Sequence, residues 1–129
     1  MRVPRALHAV VLCFLLVPVL SAQDAAKVDP KHYTVVSENA EVRILTVHYG
    51  AHEKSVMHSH PDSVAVALTD ATVQFTLPGG KKDNSTFKAG QALFTPAGTH
   101  LPENTGDNAM ELILVELKGK PATAKSEMK

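Results

Sequence analysis

The 129-residue chain has little cysteine and no excess of charge. Its single cysteine, Cys13, excludes an internal disulfide, so an apolar core has to stabilise any fold. Lys plus Arg and Asp plus Glu are present in equal number, 13 each, which excludes the basic surface typical of nucleic-acid-binding proteins. The chain also lacks a phosphate-binding loop, a Cys-x-x-Cys pair and a nucleophile elbow, which excludes several common enzyme classes.

Residues 1–22 have the pattern of a secretory signal peptide. Arg2 and Arg5 form a positively charged start, and an apolar run follows from Ala9 to Leu20. Small residues then suit cleavage after Ala22. The apolar run is short for a membrane span of ~20 residues, so we favour cleavage over an uncleaved membrane anchor. We therefore expect a secreted or periplasmic protein that is not in the membrane once the signal is removed.

Residues 33–117 combine short apolar stretches with closely spaced turn signals, and no segment there has a convincing helical period. Between Thr72 and Leu77, apolar and polar residues alternate with the period of two that is typical of a strand. The stretch Glu41–Tyr49 carries apolar groups on both faces, as in a strand covered on two sides. This pattern predicts one all-β domain, a small barrel or a sandwich. We expect three phenylalanines to lie in its core: Phe75, Phe87 and Phe94.

The predicted domain has a polar segment on each side. Residues 23–32 form a leader that either wraps the first strand or stays loose. Residues 118–129 are rich in Lys and poor in apolar groups, which predicts a disordered, solvated tail.

Three histidines are candidate metal ligands. His58 and His60 lie two residues apart, so in a strand their side chains share a face. Neutral imidazole is the commonest metal ligand in proteins, and a third imidazole would complete a facial cap on one ion. His100 is the candidate, because the turn Pro96-Ala97-Gly98 can aim it back at the pair. The alternative is that a His-x-His pair arises by chance and lies on the surface.

The remaining histidines are weaker candidates. We expect His32 and His52 to lie in solvated loops. His48 could reach the interior, or it could be a rim residue with one hydrogen bond. Glu103 follows His100 closely and could hydrogen-bond a ligating imidazole, or it could be an exposed loop carboxylate.

The spacing of these residues resembles the two motifs of the cupin family. The second cupin motif is Gly, five residues, Pro-x-Gly, two residues, His, three residues, Asn. Here Gly90 and Pro96-Ala97-Gly98 have that spacing, and His100 follows after one residue rather than two. Asn104 then follows at the family spacing.

The first cupin motif is degenerate in this chain. Gly50 precedes His58 by a longer gap than the family has, and the Glu ligand expected at position 64 or 65 is replaced by Val64 or Ala65. Val64 is an even number of residues from His58 and His60, so its side chain should lie on the same strand face. We therefore expect this apolar side chain in the fourth ligand position. Asp62 follows Pro61 and is expected in a turn.

The resemblance implies a cupin-like small β-barrel, or jelly roll, with a three-histidine site for one divalent ion: Fe, Zn, Ni, Mn or Cu. Some cupin-like dioxygenases that use iron have three-histidine sites, which implies an oxidoreductase acting on a small organic substrate. The loss of Glu could instead mark a non-catalytic cupin that binds or senses a small molecule, with or without metal. No catalytic residue is assigned. We also expect a homodimer, because the edges of a small sheet need cover.

Overall fold

The computed structural model describes residues 23–119, in which one short helix precedes nine strands. The helix is α1 (Ala25–Val28), and the strands are β1 (Tyr33–Glu38), β2 (Val42–Tyr49), β3 (His58–His60), β4 (Ser63–Ala67), β5 (Ala71–Thr76), β6 (Lys82–Phe87), β7 (Ala92–Thr95), β8 (Gly98–Asn104) and β9 (Met110–Leu117). No helix in this part of the chain is long and apolar enough to cross a membrane. The predicted signal, and the predicted tail from residue 120 onward, lie outside the described residues.

The strands form two antiparallel sheets. One sheet has five strands in the order β1-β2-β9-β4-β7, and the other has four in the order β3-β8-β5-β6. In the first sheet β9 is central: it pairs with β2 from Val42 opposite Leu117 to Tyr49 opposite Met110, and with β4 on its other side. The prediction of an all-β domain is therefore confirmed.

The two sheets face each other across a cavity. Val73 and Phe75 of β5 line it from one sheet, and Val47 of β2 lines it from the other. The polar residues of β5 face away, and Gln74 donates a hydrogen bond to Asn84 of β6 at the surface. The alternation along β5 thus places its apolar face inward and its polar face outward.

The buried core is formed mainly by residues of β1, β2 and β9, with Ala25 of α1 and Val73 of β5. Its largest members, Leu45 and Tyr49, have no exposed surface, and each such side chain contributes ~1.5–3 kcal/mol through burial. The apolar cluster consists of Ala25, Tyr33, Leu45, Val47, Tyr49, Val73, Met110 and Leu114. Two of these, Tyr33 and Tyr49, also reach the candidate site.

The expectation that Phe94 is a core residue is wrong. Its side chain is 61% exposed, whereas Phe75 and Phe87 pack against the core as expected. Phe94 lies on β7, a short strand at the edge of the larger sheet, and its neighbours Leu93 and Thr95 are the better covered residues. An aromatic residue alone does not show which face of an edge strand is buried.

The leader is ordered in the structure, and it is not loose. Asp24 caps α1 by accepting a hydrogen bond from the Ala26 N–H at 2.9 Å, and Ala25 is fully buried in the core. The expectation that His32 is solvated is also wrong, because its side chain is only 5% exposed. Its two ring nitrogens meet carboxylate oxygens of Asp29 at 2.7 Å and Glu53 at 2.9 Å, which compensate for burial.

Candidate metal centre

Two adjacent strands bring the three predicted histidines together. Strand β3 supplies His58 and His60, and β8 supplies His100, which pairs with His58 across the ladder. One ring nitrogen from each residue lies within 4.8 Å of the other two. Between the pair, Ser59 points away and shares a hydrogen bond of 2.6 Å with Thr99 on the exposed face. Because side chains alternate along a strand, the first and third residues of β3 present their imidazoles on one face.

His58 is held as one tautomer, with its other nitrogen free. Its Nδ1–H donates to the Val56 carbonyl oxygen at 2.8 Å, so the lone pair is on Nε2. That Nε2 is buried and has no hydrogen-bond partner among the described residues. An unpaired buried polar atom costs about 1–3 kcal/mol, so a native fold is expected to supply a partner, which is an ordered water or a bound ion. A metal ion suits this nitrogen, because it needs the lone pair that the tautomer leaves available.

His60 is oriented by a buried carboxylate. Its Nδ1–H donates to Glu116 Oε1 at 2.8 Å, and Glu116 is 2% exposed. Arg43 neutralises this carboxylate, because its Nε donates to Glu116 Oε2 at 2.6 Å. The bond to Glu116 leaves the His60 Nε2 lone pair free, which is the usual arrangement for a metal-ligating histidine.

The His100 ring is oriented by stacking. It lies 5.0 Å from the Phe75 ring, with an angle of 24° between the planes. The ring centroids of His58 and His60 lie 5.0 and 5.3 Å from that of His100. Packing on Phe75 thus fixes the third imidazole against the pair.

Burial keeps two of the imidazoles neutral. Burial, followed by the effect of His60, lowers the pKa of His58 to about 4. Burial, followed by the effects of His58 and His60, lowers the pKa of His100 to about 3. Both rings are therefore neutral at pH 7, which is the form that binds a metal ion.

A hydrogen-bonded pair of tyrosines, Tyr33 and Tyr49, lies beside the histidines. The Tyr33 ring lies 4.8 Å from the His58 ring, and its hydroxyl is 2.7 Å from that of Tyr49. Burial raises the pKa of Tyr33 well above its usual value and raises that of Tyr49 to about 12. Both hydroxyls stay protonated at neutral pH, so this pair offers neutral hydrogen-bonding groups and no phenolate.

The histidine cluster opens into the cavity between the sheets. The cavity has a volume of about 730 Å³, and His60 and His100 are part of its wall. Most of the wall is apolar, with Phe75, Leu112 and Leu114 among its members. Among the residues of 23–119 that line it there is no Lys or Arg, and its two carboxylate side chains are those of Asp83 and Glu111. A molecule inside would meet apolar side chains on most sides and the imidazoles at one end.

Solved structures match this architecture, although no family model and no curated protein matches the sequence. A cupin domain from Bordetella pertussis Tohama I aligns with a TM-score of 0.63 and 24% identity, over 67% of this chain and 92% of that chain. A protein with a double-stranded β-helix domain from Klebsiella pneumoniae aligns at 0.55 and 19% identity, over 68% and 76%. An RmlC-like cupin family protein from Methanocaldococcus jannaschii aligns at 0.54 and 16% identity, over 66% and 77%.

The chain has the cupin fold. The resemblance predicted from its motifs is confirmed at this level. Likeness at these identities establishes the fold and not the activity, so the chemistry has to be argued from the site itself.

The residues of the second cupin motif have structural roles around His100. Gly90 has φ of +85°, a conformation that favours glycine, in the turn before β7. Asn104, at the end of β8, is 1% exposed and donates to the carbonyl oxygens of Gly50 at 3.0 Å and Asn108 at 2.8 Å. This motif therefore shapes the turn before β7 and the loop after β8.

The expectation that Val64 takes the fourth ligand position of the cupin site is wrong. The cavity is lined by Ala65 and Ala67, and Val64 lies on the other face of β4. Parity does not carry over from β3, because β3 and β4 belong to different sheets and a turn at Asp62 separates them. The Asp62 carboxylate accepts a hydrogen bond at 2.7 Å from the N–H of Ala97, in the distant turn that precedes β8. Of the two positions at which the cupin Glu was expected, Ala65 is therefore the one that faces the cavity, and its side chain offers no ligand.

The carboxylate that hydrogen-bonds a histidine of the cluster is that of Glu116, and not that of Glu103, which the sequence had suggested. Glu116 lies in the apolar strand β9, and Arg43 lies in the apolar strand β2, directly opposite it in the ladder. A charged residue in the middle of otherwise apolar sequence, Arg43 in β2 and Glu116 in β9, is the signal that could have found this pair. His48 and His52 lie outside the cluster, paired at the surface with Glu111 at 3.2 Å and Asp107 at 2.8 Å.

Proposed function

We propose that this chain is an exported metal-binding cupin whose His58, His60 and His100 hold one divalent ion. We further propose that it acts as a dioxygenase-type oxidoreductase on a small organic substrate. The observation that carries the proposal is the buried, unpaired Nε2 of His58, which faces two other imidazoles within ligand distance of one another. Hydrogen bonds at Nδ1 of His58 and of His60 supply the tautomers that a metal needs.

The donor set fits several ions. Three neutral imidazoles suit Fe(II), Zn(II), Ni(II), Mn(II) or Cu(II), and they leave the charge of the ion uncompensated. When bound by His58, His60 and His100, such an ion would supply Lewis-acid chemistry toward an anionic oxygen donor and, in the case of iron, O₂ chemistry. The protein's own residues orient the imidazoles through Val56, Glu116 and Phe75 and exclude water with the apolar wall.

The cavity favours a substrate with an apolar body and one anionic oxygen group. Apolar side chains such as Phe75 and Leu114 would cover the body. No cationic side chain in the described wall would pair with the anion, so the metal is the partner for its charge. In a dioxygenation both oxygen atoms of O₂ enter the substrate, which supplies the electrons, so no separate reductant is needed.

A non-catalytic binding or sensing role is the second candidate, and one observation favours it. The carboxylates nearest the histidines are already engaged: Glu116 by His60 and Arg43, and Asp29 by His32 and Ser55. Neither is free to act as a general base. A reaction at the histidines would therefore rest on the metal and O₂ rather than on these two carboxylates, and their engagement favours a binding role.

Metal analysis of the purified protein tests the site. We expect one divalent ion per chain and loss of most of it in His100→Ala, with the fold retained in circular dichroism, because His100 is not a member of the buried apolar cluster. His52→Ala is the matched control, since this exposed histidine pairs only with Asp107, and it should lose none. Wild-type protein that binds none of the five candidate ions at neutral pH would overturn the metal proposal.

Oxygen consumption separates the two candidate functions. The Fe(II)-loaded protein is mixed with a panel of phenols and aromatic carboxylates, the chemical class that the cavity favours, and followed with an oxygen electrode. We expect consumption with at least one probe, matched by two labelled oxygen atoms in the product when ¹⁸O₂ is used. Tight binding of the probes without oxygen uptake would favour the binding role.

A further inference from the structure

We propose that the leader is a clamp that positions both histidines of β3, so that its docking and metal binding are coupled. The N-terminal clamp is defined as residues 23–29, which comprise the capping residue Asp24, helix α1 and Asp29. The coupling between clamp docking and metal binding rests on the proposed metal site. The contacts of the clamp are present in the structure and do not depend on that proposal. Three independent sets of contacts support this role.

The first contact covers the open edge of β3. This strand has only three residues and lies at the edge of its sheet, paired with β8 on one side. On the other side the Ser59 N–H donates to the Gln23 carbonyl oxygen at 2.7 Å, and Asp24 forms a parallel bridge with Ser59. Ser59 is the residue between the two ligands, so the clamp holds the backbone from which both imidazoles project.

The second contact is a chain of charges that ends at His60. Asp24 Oδ2 accepts a hydrogen bond from Arg43 at 2.7 Å, Arg43 donates to Glu116 at 2.6 Å, and Glu116 accepts from His60 Nδ1 at 2.8 Å. The planar guanidinium bridges the two carboxylates, which a lysine could not do with the same geometry. Asp24 thus fixes Arg43, and Arg43 fixes the carboxylate that orients the His60 ring.

The third contact leads to His58. Asp29, at the end of α1, accepts a hydrogen bond from the Ser55 hydroxyl, whose oxygen is 3.3 Å from His58 Nδ1. His32 holds the same Asp29 carboxylate, and Glu53 holds His32 from the other side. Asp24 and Asp29 are therefore linked to different histidines of the pair, each through its own series of side-chain contacts.

These contacts make Asp24 a positioning residue. Detachment of the clamp would expose the edge of β3 and release Glu116 from its fixed geometry. Because coupling between two sites is reciprocal, an ion held by the histidines should in turn stabilise the docked clamp. Loss of an outer hydrogen-bond partner of a ligating histidine lowers metal affinity by ~10–100-fold in other proteins.

The variant Asp24→Asn tests the clamp in the full protein. Asn caps a helix about as well as Asp, so α1 is retained while the ion pair with Arg43 is lost. We expect the Zn²⁺ affinity, measured by competition with a chelator, to fall ~10-fold. Asp107→Asn is the matched control, because it makes the same chemical change at an exposed residue that contacts only His52, and its affinity should equal that of wild type.

Two further measurements do not depend on activity. In the metal-free protein, ¹⁵N NMR should show the His60 ring as the Nδ1–H tautomer in wild type and as a mixture in Asp24→Asn. Hydrogen exchange should show faster exchange of the Ser59 amide in Asp24→Asn. In wild type, Zn²⁺ should slow exchange at Lys27, Val28 and Asp29, whose amides bond within the clamp.

The outcomes separate the two proposals. If wild type and Asp24→Asn bind Zn²⁺ equally, the clamp is overturned and the metal site stands. If wild type binds no metal, the proposed function fails, and the tautomer and exchange data alone then judge the clamp. An unchanged His60 tautomer together with an unchanged Ser59 exchange rate in Asp24→Asn would overturn it.

Discussion

At the scale of single residues, the lowered pKa values of His58 and His100 couple the stability of the fold to pH. An unfolded histidine has a pKa of about 6.5, whereas burial lowers the folded values to about 4 and about 3. Between these limits the unfolded chain binds protons that the folded chain does not, so stability rises with pH. The contribution of these residues to the free energy of unfolding is fully present above pH ~6.5. It is lost as the pH falls toward the pKa values of the folded state.

We therefore predict that the metal-free protein loses stability between pH 6.5 and 5. The loss should be on the order of 1 kcal/mol per histidine for each pH unit, measured by urea unfolding in the presence of a chelator. Acidic groups with lowered pKa values, such as Glu53 at about 2, contribute to stability loss mainly below pH ~4, outside this window.

The variant His100→Asn should have a shallower slope, because one of the two buried imidazoles is gone. His48→Ala is the control, since this residue is 57% exposed in its side chain and lies outside the cluster. Equal slopes for wild type and His100→Asn between pH 6.5 and 5 would contradict the prediction.

At the scale of the strands, periodicity predicted the fold class and the division of β5 into a buried and a polar face, because a strand alternates regardless of its surroundings. It failed at β4, where Val64 was expected inward and Ala65 lines the cavity. The reason is that parity holds only within a strand, and the turn after His60 carries the chain into the other sheet.

The candidate ligands were also predictable, because His58 and His60 share a strand and the turn before His100 is encoded locally. Their supports were not, because they come from residues distant in sequence: Glu116 for His60, and the leader for β3. Contacts of that kind depend on how the sheets and the leader meet, and local patterns carry no information about this.

The corrected parity of β4 predicts how a fourth ligand could be added. Ala65→Glu places a carboxylate in the cavity wall that His60 and His100 share, and a negative ligand should strengthen binding of a +2 ion. We expect the Zn²⁺ affinity to rise on the order of tenfold, equivalent to about 1.4 kcal/mol. Competition with a chelator measures this.

Val64→Glu is the matched control, because it introduces the same side chain on the opposite face of the same strand. It should leave the affinity unchanged. An equal gain in both variants would show that added charge alone is responsible, and no gain in a folded Ala65→Glu protein would sink the assignment of Ala65 to the cupin Glu position.

At the scale of the whole molecule, the N-terminal pattern predicts export. Arg2, Arg5 and the apolar run that follows them support removal of residues 1–22. Mass spectrometry of the native protein should find a chain that begins at Gln23, the residue whose carbonyl oxygen bonds to Ser59. A native protein that still contains Cys13 would contradict this. As a control, Arg2→Glu combined with Arg5→Glu should leave more uncleaved precursor.

The surface of β1 supports the prediction of a homodimer. Strand β1 is an edge of the five-stranded sheet, and five of its six residues are exposed. They include Val35, which is 40% exposed, and Val36, which is 54% exposed. An open edge with apolar side chains invites pairing, and a second copy of the chain offers the same edge.

We therefore predict a dimer at micromolar concentration in light scattering. Val36→Lys should shift it toward monomer, because a charge at the centre of the shared edge would face its own copy across the two-fold axis. Leu68→Lys is the matched control, since Leu68 is also an exposed apolar residue, 50% accessible, but lies beyond the end of β4 and away from β1. It should leave the dimer intact. A wild-type protein that is monomeric under these conditions would refute the prediction, and a dimer that persists in Val36→Lys would exclude β1 as the interface.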